Sequence, residues 1–383
     1  MTRLLSALIL GILLHGATPK KYGVPLERRH NPLVNDVSDI HKYILSRYGN
    51  NPNTQPFFTF GSLSYTSNIT IGTPPQEFRV LLDTGSSDTW VPAQDCTVVG
   101  GPVCEKTFFD PNASSTFQNI GSYFKIQYGK GFINGTTAID TVGLGSASDD
   151  KLVVPGQTIG LAHQIDQTLG SQSVDGIVGL AFRSISEEGG QPVFLNAVDQ
   201  GLVDEPVFTV WLTRDTTEKN EGVDGLITYG GHDDEHCSTD IHWIPLAHKS
   251  WWIFEGQGFS VNGQETQFTY KAITDTGSGF IYGTADIIAP IANALNAVYD
   301  EQSGEYLLPC NSNFTVGFSI NGKEYDVEAK NMLVPLSGET CALTVLPSEV
   351  GEVQLILGDP FIRQYCQVYD VQEGRVGFAL AKE

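Results

Sequence analysis

The run Phe78-Arg-Val-Leu-Leu-Asp83-Thr84-Gly85-Ser86 returns 192 residues later as Tyr270-Lys-Ala-Ile-Thr-Asp275-Thr276-Gly277-Ser278. In each copy a β-prone apolar stretch stops abruptly at Asp-Thr-Gly. A second matching pair follows downstream: Val174-Asp-Gly-Ile177-Val178-Gly179-Leu180 in the first half, Gln354-Leu355-Ile356-Leu357-Gly358-Asp359 in the second. The order strand, Asp-Thr-Gly, long β-rich stretch, apolar-apolar-Gly therefore occurs twice. Such a repeat predicts two duplicated lobes related by an approximate two-fold axis.

Loops that face such an axis meet their counterparts, so Asp83 and Asp275 are expected to come together. Gly85 and Gly277 allow the tight turn and close backbone approach those loops need. Thr84 and Thr276 can hydrogen-bond across the axis and hold the loops rigid. Two carboxyls at hydrogen-bond distance cannot both ionise readily, so in acid they share one proton. The ionised member can then activate water while the protonated one supplies a proton to a carbonyl oxygen. The 8 histidines are scattered and none stands beside either Asp-Thr-Gly, so no Ser/His or Cys/His nucleophile competes.

Composition fits this outline. The 383 residues leave room for two or three domain-sized units, and 41 Gly with 19 Pro give a turn-rich, β-leaning balance. With 44 acidic against 22 basic residues the net charge is −22, which argues against a nucleic-acid partner. The charge is divided unevenly. Residues 1–58 hold Arg3, Lys20, Lys21, Arg28, Arg29, Lys42 and Arg47 against Glu27, Asp36 and Asp39, and the remaining chain carries a net −26. A basic leader ahead of an acidic body suggests a segment docked by charge.

Residues 1–17 read as a signal peptide: Arg3 precedes the apolar run 4–14, and Gly16 and Ala17 are small. An apolar run of about 11 residues cannot span a ~30 Å hydrocarbon core, so no membrane partner is expected. Sequons at Asn68, Asn112, Asn134 and Asn313 suit an exported glycoprotein, with Asn68 in a strand-like run. Six cysteines suit an oxidising compartment. Cys96 and Cys104 close a short loop, Cys310 and Cys341 stand further apart, and Cys237 and Cys366 remain; fifteen pairings are open to six cysteines.

Over nearly its whole length after residue 17 the chain resembles a pepsin-like aspartic protease precursor. The matching segments are Ile71-Gly-Thr-Pro-Pro-Gln-Glu-Phe, Asp83-Thr-Gly-Ser-Ser-Asp-Thr-Trp90-Val-Pro, Tyr128-Gly, Asp175-Gly-Ile-Val-Gly-Leu-Ala-Phe182, Asp275-Thr-Gly-Ser and Ile356-Leu-Gly-Asp-Pro-Phe-Ile-Arg-Gln-Tyr365. Tyr22-Gly-Val-Pro-Leu-Glu-Arg28-Arg29 is similar to the family's basic activation segment. The resemblance implies an all-β, bilobal fold with a substrate cleft, a zymogen, polypeptide substrates, a monomer, and neither metal nor organic cofactor. By it, residues 18–58 are a prosegment that inhibits the chain's own cleft, 59–236 the N-terminal lobe and 237–383 the C-terminal lobe. Secretion, or residence in an acidic endo-lysosomal lumen, is expected.

Carried over by motif, Asp83 and Asp275 are the catalytic pair, and Ser86 bonds the Asp83 carboxyl. Tyr128 is the tyrosine of a flap, a hairpin over roughly 124–137 that closes on substrate. Trp90 hydrogen-bonds that tyrosine and, with Ile177 and Leu169, shapes an apolar pocket. A Cys237–Cys366 bridge resembles the arrangement in nematode digestive members. The mature start is expected within 50–61, with Lys42 or Arg47 meeting the catalytic pair beforehand.

The chain departs from the family pattern in several places. Lys130 replaces a flap hydroxyl and is expected to disfavour basic side chains at the adjacent subsite. Ser278-Gly279 replaces the common Thr-Ser, which weakens a contact to the extended substrate. Asp88-Thr89 stands where Asn-Leu is frequent and reads as a surface change. His232-Asp-Asp-Glu-His236 has zinc-type ligands but reads as a solvated loop. Two other classes remain: an inactive peptide-binding member of the same fold, and a structural cell-surface glycoprotein.

Overall fold

In the strand Gln118–Tyr128 the side chains of Phe124, Ile126 and Tyr128 are buried while Tyr123, Lys125 and Gln127 face out. That two-residue period repeats along Gly131–Leu144, and it recurs through most of the chain. The computed structural model describes residues 21–29, 64–128, 131–213, 224–301, 303–348 and 351–382. The expected signal peptide 1–17, Lys42, Arg47, the processing region 50–61 and Lys130 all lie outside these residues.

The fold is all-β and bilobal, built on the duplicated motif. Gln76–Asp83 pairs parallel with Gly176–Gly179, which pairs antiparallel with Thr89 and Trp90. In the second half, Gln264–Thr274 pairs parallel with Leu355–Leu357, which pairs antiparallel with Ile281–Gly283. The glycine ending each apolar pair is sterically required. A Cβ on Gly179 would lie 2.4 Å from the Ser87 carbonyl carbon, and one on Gly358 would lie 2.1 Å from the Ser278 carbonyl oxygen.

A path of 13 strands joins the lobes. It runs from His242–Pro245 through Arg375–Leu380, Tyr365–Asp370, Val207–Leu212 and Gly225–Tyr229 to Tyr22–Arg29, then through Ser64–Ile71 and Gln76–Asp83 into the N-terminal lobe. An 8-stranded sheet around Trp252–Val261 and Gln264–Thr274 and a 4-stranded sheet complete the C-terminal half. Disulfides join Cys96 to Cys104, Cys310 to Cys341 and Cys237 to Cys366. The last ties the chain after Gly230 to the shared strand Tyr365–Asp370 across 129 residues. No helix among the described residues is long and apolar enough to cross a membrane.

Among the described residues, the strand Tyr22–Arg29 is held by backbone pairing and apolar burial. Residues 22–26 pair with Gly225–Tyr229, and residues 27–29 pair with Ser64, Tyr65 and Thr66. Val24 and Leu26 are 3% and 4% exposed, a burial that contributes about 1.5–3 kcal/mol for each such side chain. Among the described side chains, Lys21 Nζ lies 3.4 Å from Asp234 Oδ2, with the two side chains 41% and 64% exposed. Exposed pairs of this kind contribute about 0–1 kcal/mol.

Candidate active site

Each Asp-Thr-Gly begins where a buried strand runs out against its parallel neighbour. The Asp83 carbonyl accepts from Leu180 N at 2.8 Å, and Asp275 N donates to the Leu357 carbonyl at 3.1 Å. Both aspartates are buried. Their carboxylates are held by matching partners. Gly85 N donates to Asp83 Oδ1 at 3.0 Å and Gly277 N to Asp275 Oδ1 at 2.9 Å. The Ser86 hydroxyl donates to Asp83 Oδ2, and the Ser278 hydroxyl donates to Asp275 Oδ2 at 2.7 Å.

The two loops are locked face to face. Thr84 N donates to Thr276 Oγ1 and Thr276 N to Thr84 Oγ1, both at 3.0 Å. Thr84 Oγ1 then donates to the Thr274 carbonyl at 3.2 Å, and Thr276 Oγ1 to the Leu82 carbonyl at 2.8 Å. Each hydroxyl therefore uses both its donor and an acceptor lone pair on the opposite loop. The residues preceding these threonines, Asp83 and Asp275, share one rigid platform. Tyr369, contributed by the shared sheet, bonds the Thr274 hydroxyl at 3.2 Å, and burial raises its phenol well above the ordinary value.

The strands Gln118–Tyr128 and Gly131–Leu144 pair antiparallel, Tyr128 with Gly131 and Phe124 with Gly135. Gln127 Nε2 donates to the carbonyls of Tyr128 and Gly131 at 3.1 and 3.0 Å and ties the facing ends of the two strands together. Trp90 Nε1 donates to the Tyr128 hydroxyl at 2.8 Å. Tyr128, Trp90, Ile177, Leu169, Phe124 and Ile126 belong to one buried apolar cluster. The Lys106 ammonium braces its edge by donating to the carbonyls of Gln172 and Val174 at 2.9 and 2.6 Å, and burial lowers its pKa to about 8.

Asp88 and Thr89 are not surface residues: they are 4% and 1% exposed. Asp88 accepts from Ser186 Oγ at 2.6 Å and from the amides of Glu187 and Glu188 at 3.0 and 3.1 Å, so a short acidic side chain stitches the first motif to the loop at 183–188. The 232–236 loop is organised by Asp233, which accepts from the amides of Glu235 and His236 and from His236 Nδ1 at 2.8 Å. Among the described residues no group of His, Cys, Asp and Glu could hold a metal ion. Of the four sequon asparagines, Asn112 and Asn313 are exposed. Asn68 is tied to Glu77 and Ser146, and Asn134 to Gln164.

Gln127, Lys106 and Tyr369 carried no signal in the sequence. Each acts through a backbone carbonyl or a threonine hydroxyl, contacts that no motif spacing encodes.

A family model described as eukaryotic aspartyl protease matches residues 64–381. The chain belongs to that family. Aspartic protease 6 of Caenorhabditis elegans is 38% identical over 328 residues, 84% of this chain and 82% of its own. Probable vacuolar protease A of Trichophyton verrucosum is 36% identical over 334 residues, covering 84% and 80%. Aspartic protease 2 of Necator americanus is 32% identical over 366 residues, covering 86% and 85%. This aspartyl protease is accordingly an aspartic-type endopeptidase, and two of the three relatives are nematode proteins.

Proposed function

We propose that this aspartyl protease is an acid endopeptidase in which Asp83 and Asp275 hold and activate the attacking water. The reciprocal Thr84–Thr276 bonds carry the reading, because they make the two carboxyl-bearing loops one rigid unit with matched partners. One carboxylate takes the proton of the water as it attacks the scissile carbonyl; the other carboxyl donates its proton to the carbonyl oxygen. Collapse of the tetrahedral intermediate breaks the C–N bond, and the amine leaves with a proton returned from the pair. Gly85 N and Gly277 N keep each Oδ1 aimed while charge moves between the two. Tyr128 covers the extended substrate, and the apolar cluster beneath it supports a preference for apolar side chains near the scissile bond.

The enzyme is exported, or kept in an acidic lumen as the name of the fungal vacuolar relative suggests for that protein, and it is made as a zymogen. The expected boundary at 236/237 falls beside the Cys237–Cys366 bridge, which lies within the C-terminal lobe. The leader strand sets a condition on activation. Its described strand is held by backbone pairing and by the burial of Val24 and Leu26, which acid does not undo, so the segment leaves together with chain cleavage. Purified precursor brought from neutral to acidic pH is expected to lose its leader and then cut a denatured protein. Lys21→Ala is expected to shift the activating pH by less than about half a unit. Precursor that stays intact and inactive in acid overturns the zymogen reading; leader-free protein without turnover overturns the catalytic one.

A further inference from the structure

Behind the flap tyrosine lies a second pair of carboxyls outside the catalytic machinery. Asp88 spends both oxygens on the loop at 183–188, as described above. Glu188 folds back from that loop into the N-terminal lobe. Its Oε1 is sealed from solvent with no hydrogen-bond partner among the described residues. A Cβ built on Gly160 would stand 2.2 Å from that oxygen, 2.6 Å from Phe124 Cζ and 3.0 Å from Trp90 Cβ. The Glu188 carboxyl is thus wedged beside Phe124 and the base of Trp90, and Trp90 and Gly160 are register partners. Trp90 in turn holds the Tyr128 hydroxyl.

We propose that Glu188 is a positioning residue for Tyr128: its carboxyl, wedged beside Gly160, Phe124 and Trp90, braces Trp90 from behind, and losing its proton loosens the flap tyrosine. The inference rests on Tyr128 covering the substrate. Protonated, Glu188 keeps its buried Oε1 uncharged beside two aromatic side chains; ionised, it puts a negative charge there with no hydrogen-bond partner on that oxygen among the described residues. Burial raises both carboxyls, and Asp88's charge lifts Glu188 further, to well above the ordinary carboxyl range. The Thr89 amide, a donor facing Glu188, offsets only part of this. Glu187 and Arg183 on the same loop are exposed, and Arg183 donates to the Gly189 carbonyl at 3.2 Å. Gly160, Phe124 and Trp90, which lie beside Glu188 Oε1, carry no titratable group.

The folded state therefore binds this proton more tightly than the unfolded chain. The stabilisation is complete below the ordinary glutamate range and is lost as pH rises toward the raised value. Substrate affinity follows the same course, while the chemical step, set by Asp83 and Asp275, does not.

The test compares leader-free wild type, Glu188→Gln, Glu188→Ala and Asp88→Asn, measuring kcat and KM on one peptide from acid to neutrality. In wild type KM rises toward neutrality by up to about tenfold per pH unit, the limit for one ionisation. Glu188→Gln mimics the protonated acid, matches wild type in acid and keeps KM flat; Asp88→Asn removes the neighbouring charge and moves the rise in KM to lower pH. Glu188→Ala raises KM at every pH, and the contrast with Gln separates the charge from the packing. The thermal unfolding midpoint is read in parallel, and toward neutrality it falls less in Glu188→Gln than in wild type. A KM–pH curve and a midpoint–pH curve unchanged by both Gln and Asn overturn the proposal. If wild type itself lacks turnover, the catalytic reading fails and the midpoint curves decide the carboxyl pair alone.

Discussion

Leader-free enzyme carrying Asp275→Asn hydrolyses peptide bonds more slowly than wild type by roughly 10⁴-fold or more, since catalytic groups that act as a unit fail together. Its fold survives the exchange. An asparagine Oδ1 still accepts from Gly277 N, and the Ser278 hydroxyl, now facing an amide, turns to accept instead of donate. What is lost is the second ionisable oxygen, and with it the ability of the pair to pass one proton between its members. Asp83→Asn is expected to be as damaging, because Asp83 has the same partners from Gly85 and Ser86. The checks are kcat on a single peptide and an unfolding midpoint beside wild type. Retained midpoint with lost turnover is the predicted result; turnover within about tenfold of wild type contradicts the paired role.

Thr276→Val removes almost no volume yet strands two buried groups. Thr84 N loses its acceptor and the Leu82 carbonyl loses its donor. Leaving a buried polar group unsatisfied costs about 1–3 kcal/mol, so the variant loses roughly 2–6 kcal/mol if neither group finds water. For a chain of this size each kcal/mol lowers the unfolding midpoint by about 2–4 °C. Thr84→Val strands the Thr276 amide and the Thr274 carbonyl in the same way and is expected to cost a similar amount. Thr→Ser at either position keeps the hydroxyl and most of the stability. The kcat of both valine variants falls as well, because the Asp-Thr-Gly loops lose the contact that registers one carboxyl against the other. Valine variants as stable and as fast as wild type contradict the platform role.

The repeat was legible because its physics is local. A strand that ends buried at Asp-Thr-Gly reads the same in both halves, and Gly179 and Gly358 recur because backbone of the preceding loop crosses where a Cβ would sit. The Tyr128-Gly motif marked the expected flap by resemblance, and its strand buries Phe124, Ile126 and Tyr128 at a period of two. The leader's sequence drew attention to its charge, whereas Val24 and Leu26 and the ladder to Gly225–Tyr229 hold its described strand. No local pattern announces that a segment will pair with a strand some 200 residues away. Asp88 was misread for the same reason: an acid after Ser-Ser looks solvated until residues 186–188 fold over it, an arrangement specified by contacts distant in sequence.

The most direct test of the two-carboxyl account is kcat against pH for leader-free enzyme on one peptide at saturation, where the profile reports the groups that act in the bound complex. Because the pair must hold one proton, the account predicts a bell, falling on the acid side when both are protonated and on the other when neither is. A kcat that rises through a single step and stays high past neutrality would contradict it, since that profile needs one base and no paired acid.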